Sequence, residues 1–403
     1  MRHGQGFSDL DTHLEDLRRR DMYRVRRSLE GPQGREVVVD GRPLLNFCSN
    51  DYLGLAGDSR IAEAFKRGID RWGTGSGASH LICGHTFAHK ELEEALAEFT
   101  GRPRALLFGS GYAANVGVIN ALLSIGDFVF EDRLNHASLL DGGWISRATF
   151  SWFEHRDVAD LEGQLARIDD EPTRKLIVSD GTFSMDGDLC RLDELVELAK
   201  RRAAWTMIDD AHGIGVHGAN GVGLVDPARY SSTDVPVLVG TLGKAFGTAG
   251  AFVAGDQALV EFLIQRSRNY VFTTAMPSAL AVATLESLAI AKAEPERREH
   301  LEALIARFRT GTRELGLQLA PSTSPIQPVV VGDPARTLAL GSALEARGFL
   351  IGAIRPPTVP EGTSRLRITL TAAHRPSDVD RLLDSLKELS ACAPPDHAPR
   401  YRS

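Results

Sequence analysis

Short apolar runs alternate with helical stretches between about residues 60 and 255, and this alternation limits the possible folds more than any other feature of the sequence. Seven runs have the length and composition of buried strands: ALLF (105–108), DFVF (127–130), TFSWF (149–153), KLIVSD (175–180), WTMIDD (205–210), PVLVGT (236–241) and GAFVAG (250–255). Helical patterns lie between them, at 89–100, 113–123 and 191–202. Apolar strands separated by helices predict an α/β fold in which helices cover both faces of a mostly parallel sheet.

The pattern changes towards both ends of the chain. The N-terminal region predicts a polar amphipathic helix followed by a short strand pair within 35–47. After a long helix at 276–293, a smaller α+β pattern follows, with strands at 326–331, 349–354 and 364–370 and helices near 335–347 and 377–390. We therefore predict an N-terminal segment (1–50), a large domain (51–285) and a small C-terminal domain (286–403).

Composition argues against several classes of function. The chain has 46 Lys and Arg against 53 Asp and Glu, a formal net charge of −7, so its overall charge does not favour nucleic-acid binding. The arginine-rich stretch at 18–27 is a local exception to the negative charge. It predicts a solvated helix face unless one of its arginines binds a ligand. The four cysteines form no CxxC pair, which argues against a zinc site and fits a reducing cytoplasm. No apolar run approaches the roughly 20 residues that span a bilayer, so we expect a cytoplasmic protein without a membrane partner.

Two stretches fit the dinucleotide-binding pattern G-x-G-x-x-G/A. GIGVHG (213–218) does not open a helix, so we set it aside. GSGYAA (109–114) follows a predicted strand and opens a helix, and Glu131 and Asp132 stand about 20 residues further on. A helix N-terminus suits an anion without identifying it. An NAD-dependent dehydrogenase therefore remains one interpretation.

A single lysine, Lys244, lies among glycines and small residues in GTLGKAFGTAG (240–250). It does not belong to a P-loop, because Leu238 occupies the first glycine position and Ala245 follows the lysine. In WTMIDDAHG (205–213), Asp209 stands where a buried strand ends, which is where α/β sheets bind their ligands. A buried carboxylate needs a cation or hydrogen-bond donors. The alternative is an aspartate that caps the following turn.

Lys244, Asp209 and the helix N-terminus at 109–114 together fit pyridoxal phosphate. This cofactor needs a lysine for its aldehyde and an acid for its pyridinium nitrogen, and its phosphate suits a helix N-terminus. Thr241 can add a hydroxyl on the phosphate side, and we expect the glycines around Lys244 to leave room for the ring. The three features predict one cofactor site at the strand ends. A yellow protein would distinguish it from a nicotinamide enzyme.

The sequence resembles the α-oxoamine synthases, a family of fold-type-I pyridoxal-phosphate enzymes, from about Arg20 to residue 390. The matching segments are NFCSNDYLGLA (46–56), GTGSGASH (73–80), HKELEEALAEF (89–99), GSGYAAN (109–115), NHASLLDG (135–142), FSMDGD (183–188), DDAHGIGV (209–216) and GTLGKAFG (240–247). The resemblance implies a decarboxylating condensation of a small amino acid with an acyl thioester. The segments at 326–333 and 353–374 favour the member that joins L-alanine to a pimeloyl group, carried either by coenzyme A or by acyl carrier protein.

The resemblance also implies roles for residues at matching positions. Lys244 would bind the cofactor aldehyde, Asp209 would hold the pyridine nitrogen, and His136 would stack on the ring. Further cofactor contacts are implied for Ser184 and His212 near the phenolic oxygen, for Gly111, Tyr112 and Thr241 at the phosphate, and for Thr273 and Thr274 at the phosphate of the partner subunit in a homodimer with shared sites. Implied substrate contacts are Arg367 for the amino-acid carboxylate, Asn50 on the substrate side, and Arg24 and Thr358 for the acyl substrate.

Alternatives stay open within and outside this family. Condensation of glycine with acetyl-CoA is the nearest rival, and a relative that kept the fold but lost the chemistry is another. His80, His85 and His89 have no supporting carboxylates in the sequence pattern, so we predict a loop and a helix start there and assign no metal. Arg365 and Arg367 alternate along one strand and face opposite sides, so one of them can be solvated.

Overall fold

The computed structural model describes residue 7, residues 9–168 and residues 173–391. Its strands are β1 (Glu36–Val39), β2 (Arg42–Asn46), β3 (Arg104–Phe108), β4 (Phe128–Asp132), β5 (Thr149–Phe153), β6 (Lys175–Asp180), β7 (Trp205–Asp209), β8 (Val237–Thr241), β9 (Ala251–Gly255), β10 (Ile326–Gly332), β11 (Phe349–Leu350), β12 (Gly352–Ile354) and β13 (Ser364–Thr369). Its helices are α1 (Leu10–Arg19), α2 (Ser59–Trp72), α3 (Phe87–Thr100), α4 (Gly111–Leu122), α5 (Ala137–Ile145), α6 (Val158–Leu165), α7 (Leu192–Arg201), α8 (Gln257–Arg266), α9 (Arg268–Val271), α10 (Ser278–Ala293), α11 (Glu296–Glu314), α12 (Pro334–Ala346) and α13 (Pro376–Ala391).

Seven strands form the central sheet, in the order β3-β9-β8-β7-β6-β4-β5. Strands β5, β4, β6, β7 and β8 run parallel, and β9 is antiparallel to both of its neighbours. Strands β6 and β9 are buried along their whole length, which explains the continuous apolar sequence of β9 and the apolar run Leu176–Val178 within β6. The α/β fold with a mostly parallel sheet is confirmed.

The chain divides into two compact units. One comprises Asn50–Glu302 with Thr371–Ala373 and contains the seven-stranded sheet; the other comprises the described chain up to Ser49, Ala303–Leu370 and the described chain from His374 onwards. The second unit contains two three-stranded sheets, β1-β2-β11 and β10-β13-β12.

The N-terminal segment belongs to the same unit as the C-terminal residues. Its strand β2 pairs in parallel with β11, with Leu45 opposite Phe349. The three-part division predicted from the sequence (1–50, 51–285, 286–403) assigns the N-terminal and C-terminal segments to different parts. The pairing of β2 with β11 could not be predicted, because no local sequence pattern indicates which distant strand a strand pairs with. The first few residues of the N-terminal part and the last residues of the C-terminal part lie outside the described residues.

The arginine-rich stretch is not a uniformly solvated face. Arg27 forms ion pairs with Glu345 of α12 and with Asp40, the latter at 2.9 Å. Arg355 donates to the backbone carbonyls of Asp21 and Tyr23. These contacts fix the segment that follows α1 within its own unit.

Two glycines near Lys244 are required by the packing of the protein itself. Gly247 has a φ of +63°, and a Cβ there would lie 2.3 Å from the backbone nitrogen of Ala56. Gly240 lies in β8, and its Cβ would lie 2.5 Å from carbons of the Phe252 ring. For these two positions, the expectation that the glycines leave room for a cofactor is wrong. At Gly243 a Cβ would meet nothing closer than 3.4 Å.

We expect Gly247→Ala to destabilise the protein and Gly243→Ala to change its stability much less. Alanine at 247 must adopt a left-handed backbone conformation and displace the main chain, so the free energy of unfolding should fall by more than about 1 kcal/mol. Thermal unfolding of the two variants beside the unaltered protein measures this. Equal midpoints for the two variants would contradict the role assigned to Gly247.

Candidate active site

A pocket with a cavity volume of about 190 Å³ lies at the carboxyl ends of β6, β7 and β8. The residues that line it are Gly111, Tyr112, Asn115, His136, Ser138, Asp180, Ser184, Asp209, Ala211, His212, Thr241 and Lys244. Among them are all the residues expected to contact the cofactor within one chain. The structure therefore brings together residues from five separate segments of the sequence.

Asp209 is the last residue of β7 and is almost completely buried. One carboxylate oxygen accepts a hydrogen bond from Asn115 Nδ2 at 2.6 Å, and the other accepts one from the backbone N–H of Ala211 at 3.0 Å. Donors of this kind stabilise the charged form of a carboxyl group and fix its orientation. A carboxylate held in this way can receive a proton-bearing ring nitrogen of a ligand.

His136 caps the N-terminus of α5, and this role fixes its ring. Its Nδ1 accepts a hydrogen bond from the backbone N–H of Ser138 at 3.3 Å and lies 2.7 Å from Ser138 Oγ. Burial lowers the pKa of His136, Lys244 lowers it further, and the charge of Asp209 opposes both. The ring is therefore neutral near pH 7, and its proton is on Nε2, because Nδ1 acts as an acceptor.

Asp180 is a second carboxyl group of the pocket, and it was not found from the sequence. It ends β6, directly beside Asp209 on β7, and it accepts a hydrogen bond from the backbone N–H of His136 at 2.7 Å. Burial and then the charge of Asp209 raise its pKa well above the ordinary value. The strand-end argument that identified Asp209 also applies to KLIVSD and could have found Asp180.

The N-terminus of α4 forms another wall of the pocket. Ser110 caps the helix by accepting a hydrogen bond from the N–H of Ala113 at 3.1 Å. A Cβ on Gly111 would lie 2.9 Å from Thr241 Cγ2, so the helix begins directly against the end of β8. The N–H groups of a first helical turn and the helix dipole attract a phosphate group.

Lys244 lies in the connection between β8 and β9 and is half-buried. Its backbone carbonyl accepts a hydrogen bond from Gly247 at 2.9 Å, and Leu242 pairs with Gly250 across the base of the loop at 2.9 Å. The positive charge of Lys244 acts on His136 and Asp180. A compact loop therefore presents the lysine to the same pocket as the two carboxyl groups.

Tyr52, which was not singled out from the sequence, connects two of the expected residues. Its hydroxyl lies 2.6 Å from His212 Nδ1 and 3.3 Å from Asn50 Oδ1. Ser184 lies in the turn between β6 and α7, which hydrogen bonds between Phe183 and Asp188 close. These contacts hold His212 and Ser184 at the pocket wall.

Six expected residues do not line this pocket: Asn50, described above with Tyr52, and five others. Thr273 and Thr274 are exposed in the segment after α9, where Thr274 forms a β-bridge with Ser79. The other three belong to the second unit: Arg24 donates to Thr358 Oγ1 at 3.0 Å, and Arg367 donates to Thr369 Oγ1 at 3.0 Å.

Both arginines of β13 are buried. Arg367 is 8% exposed and Arg365 is 1% exposed, so the expectation that one of them can be solvated is wrong. All six residues of the strand are buried. Strand β13 is the middle strand of its sheet, between β10 and β12, and helix α12 packs against it.

The described residues contain no group of three or more His, Cys, Asp or Glu side chains placed to hold a metal ion. His80 and His85 do approach each other, with 3.0 Å between their Nδ1 atoms, but the ring of His80 stacks on Tyr270. Burial lowers the pKa of both histidines.

None of the described helices combines the length and the apolarity that a membrane crossing needs.

The charges and the functional groups of the pocket residues fit pyridoxal phosphate. The helix N-terminus and Thr241 form an anion site, the fixed carboxylate of Asp209 suits a protonated ring nitrogen, and Lys244 supplies a primary amine. Asn115 Oδ1 is buried without a hydrogen-bond partner among the described residues, as expected for an amide whose nitrogen is committed to Asp209 and Ser138.

The family model for class I and II aminotransferases matches residues 42–386. An 8-amino-7-oxononanoate synthase from Methylococcus capsulatus is 57% identical over 93% of this chain and 96% of its own length. A solved structure of a serine palmitoyltransferase from S. paucimobilis with bound PLP and myriocin is 29% identical, with a TM-score of 0.89 over 96% of this chain and 97% of its own. An 8-amino-7-oxononanoate synthase structure from Francisella tularensis is 28% identical, with a TM-score of 0.75 over 86% of this chain and 98% of its own.

We expect Asn115→Ala to weaken the binding of pyridoxal phosphate about tenfold. A hydrogen bond to a charged group contributes about 1.5 kcal/mol, and the variant leaves Asp209 with one donor fewer. The dissociation constant is measured by titrating the cofactor into apoprotein. Asn120→Ala is the matched control, because that amide also lies on α4 but donates to the carbonyls of Val116 and Gly142. Equal losses in the two variants would contradict a specific role for Asn115.

Proposed function

We infer the function of this chain from the premise that it belongs to the class I and II aminotransferase family and, within it, to the 8-amino-7-oxononanoate synthases. It joins L-alanine to a pimeloyl thioester and releases carbon dioxide and a free thiol, giving 8-amino-7-oxononanoate for biotin biosynthesis. The supporting observation is that Lys244, Asp209 and His136 line one pocket. The rival interpretations, a nicotinamide dehydrogenase and a non-catalytic relative, do not account for that combination.

Pyridoxal phosphate, when bound, supplies an aldehyde for the amino group of the substrate and a ring that withdraws electrons from the neighbouring carbon. Asp209 holds the proton on the ring nitrogen with the carboxylate that Asn115 and Ala211 orient. Gly111, Tyr112 and Thr241 bind the phosphate. Ser184 and His212 bind the phenolic oxygen.

Lys244 is the general base in this proposal. Its Nζ takes the proton from Cα of alanine and later returns one to the same carbon of the product. This task requires the amine in its neutral form. His136 stacks on the ring, and its Nε2–H is free of the capping role of Nδ1, so it can donate to the thioester oxygen.

Substrate recognition is assigned to four further residues. Arg367 binds the carboxylate of alanine, and Asn50 contacts the substrate from the SNDYLGL segment. Arg24 and Thr358 serve the acyl substrate. Their hydrogen bond supports a joint role, since pimeloyl ends in a carboxylate and a guanidinium oriented by a hydroxyl suits that group.

We further propose a homodimer in which Thr273 and Thr274 reach the phosphate of the partner subunit. Both threonines are exposed, and large apolar side chains near them are exposed as well: Phe272 is 71% exposed and Ile82 is 78% exposed. The bridge between Ser79 and Thr274 places these two segments side by side. An exposed apolar patch next to residues with an assigned role suits an interface.

The dimer predicts a mass in solution of twice the 43.7 kDa of one chain. Phe272→Glu places a charge in the proposed interface and should shift the mass towards one chain and weaken cofactor binding. Leu10→Glu, at another exposed apolar position, is the control. Multi-angle light scattering gives the masses. A fully active protein with the mass of one chain would exclude shared sites.

Thiol release by the purified protein tests the reaction. L-alanine with pimeloyl-CoA should release thiol and give a product with the mass of 8-amino-7-oxononanoate, whereas glycine with acetyl-CoA should not. A parallel reaction with pimeloyl-acyl-carrier protein identifies the preferred donor. Release mainly from glycine and acetyl-CoA would move the assignment to the rival condensation.

Lys244→Ala is the internal control for this assay. Loss of the general base should lower turnover by at least about a thousandfold while the thermal unfolding of the apoprotein changes little. Lys90→Ala, which removes an exposed lysine of α3, should behave like the unaltered protein. Turnover at the ordinary rate in Lys244→Ala would refute the mechanism.

A further inference from the structure

His155, which follows β5, lies between two buried carboxylates. Its Nδ1 is 2.9 Å from Asp132 Oδ1 at the end of β4, and its Nε2 is 3.0 Å from Asp188 Oδ2. The side chains of Asp132 and Asp188 are only 2% and 5% exposed. An ionised carboxylate can only accept hydrogen bonds, so both ring nitrogens must carry protons. The geometry therefore describes an imidazolium between two negative charges.

Both aspartates also hold nearby backbone, Asp132 through its carboxylate and Asp188 through its main-chain carbonyl. Asp132 accepts hydrogen bonds from the N–H of Leu134 at 2.9 Å and of Arg156 at 2.8 Å. Asp188 closes the turn at 183–188, because its carbonyl accepts from the N–H of Phe183 at 2.9 Å. The ring of His155 also packs edge-on against Phe183, with 4.4 Å between ring centroids. The histidine thus contacts both ends of this turn.

The two segments joined in this way carry two residues of the pocket. Ser184 directly follows Phe183 in the turn, and His136 stands four residues after Asp132, in a connection where the N–H of Asn135 donates to the carbonyl of Asp132 at 3.0 Å. Ser184 and His136 both line the pocket. One side chain outside the pocket therefore connects the backbone supports of two side chains inside it.

We propose that His155 is a positioning residue whose imidazolium, clamped between Asp132 and Asp188, fixes the segments carrying Ser184 and His136 and so holds the pocket in its cofactor-binding shape. The proposal rests on the function given above for the roles of Ser184 and His136. His155 itself touches neither cofactor nor substrate in this scheme. It acts through the turn at 183–188 and the connection after β4.

We call His155 with Asp132 and Asp188 the clamp. Its electrostatics predict the pH range in which it stabilises the protein. Burial alone would lower the pKa of His155, but the hydrogen bonds and charges of Asp132 and Asp188 outweigh it and raise the pKa to about 9. The ordinary pKa is about 6.5. The stabilisation is therefore complete below about pH 6.5 and is lost as the pH rises through about 9.

Three other groups interact with these aspartates: Arg156, Cys190 and Asp180, whose raised pKa is due mainly to burial and in smaller part to the charge of Asp132. The guanidinium of Arg156 donates to Asp188 Oδ2 at 3.0 Å. The buried thiol of Cys190 senses Asp132 and Arg156, and burial raises its pKa above this range. The thiol therefore stays neutral while His155 titrates.

The first test uses apoprotein and does not depend on the reaction. Thermal unfolding is measured between about pH 7 and 10 for the unaltered protein, His155→Gln and Asp188→Asn. We expect both variants to melt lower at pH 7 and the difference from the unaltered protein to disappear towards pH 10. His217→Gln is the matched control, because burial lowers the pKa of that half-buried histidine to about 4. A pH profile of His155→Gln parallel to that of the unaltered protein would overturn the charged clamp.

The second test asks whether His155 acts through Ser184. The dissociation constant of pyridoxal phosphate is measured for His155→Gln, Ser184→Ala and the double variant. We expect at least about tenfold weaker binding in His155→Gln, since displaced groups lose most of their contribution. If the two act as a unit, the double variant should bind no more than about twofold more weakly than the worse single variant. Fully multiplicative losses would overturn positioning through Ser184.

The two tests separate failure of this proposal from failure of the proposed reaction. If the reaction assignment is wrong, thiol release is absent while the pH profile of the apoprotein still shows the clamp. If the clamp is wrong, thiol release proceeds and the pH profiles of His155→Gln and His217→Gln coincide. Asp188→Asn keeps the first test decisive if His155→Gln does not fold.

Discussion

Keeping a carboxylate charged at the buried end of β7 is the constraint on which the pocket depends. Asp209 is 5% exposed, and burying a charge without donors is costly. Its donors come from α4 and from the turn that follows β7, so satisfying one side chain also fixes a helix and a loop. Asp180 lies beside it on β6, and its pKa is raised, which favours the neutral form. Two neighbouring carboxyl groups cannot both ionise without a large cost in free energy.

The next residue, Asp210, shows how tightly the chain is packed at the end of β7. Asp210 directly follows the last residue of β7 and is completely buried. Burial raises its pKa to about 8, and the backbone N–H of Leu224 donates to it at 2.6 Å. A Cβ on Gly213 or Gly223 would lie about 2 Å from its carboxyl oxygens. Gly213 and Gly223 are therefore required by the packing of this carboxyl group.

The sequence was sufficient for features that one strand or one loop encodes. Continuous apolar runs located the strands of the central sheet to within two residues, and the strand-end rule located Asp209. It missed Asn115, because an asparagine within a helix shows no sign that its amide reaches a residue 94 positions later. It misjudged Arg365 and the glycines at 240 and 247 for the same reason. Their surroundings come from strands and loops distant in the chain, which no local pattern describes.

The pairing of β2 with β11 has a consequence for the order in which this protein can form during synthesis. The unit with the central sheet is nearly continuous, Asn50–Glu302, and can fold once that stretch has left the ribosome. The other unit cannot, because β2, at residues 42–46, pairs with β11, at residues 349–350, which are made only after the whole of the central-sheet unit up to Glu302. The hairpin of β1 and β2 must therefore wait without its third strand until residues 349–350 have been made. Arg42 and Arg35, at or beside these strands, carry charges of the kind that protect exposed strands from aggregation during such an interval.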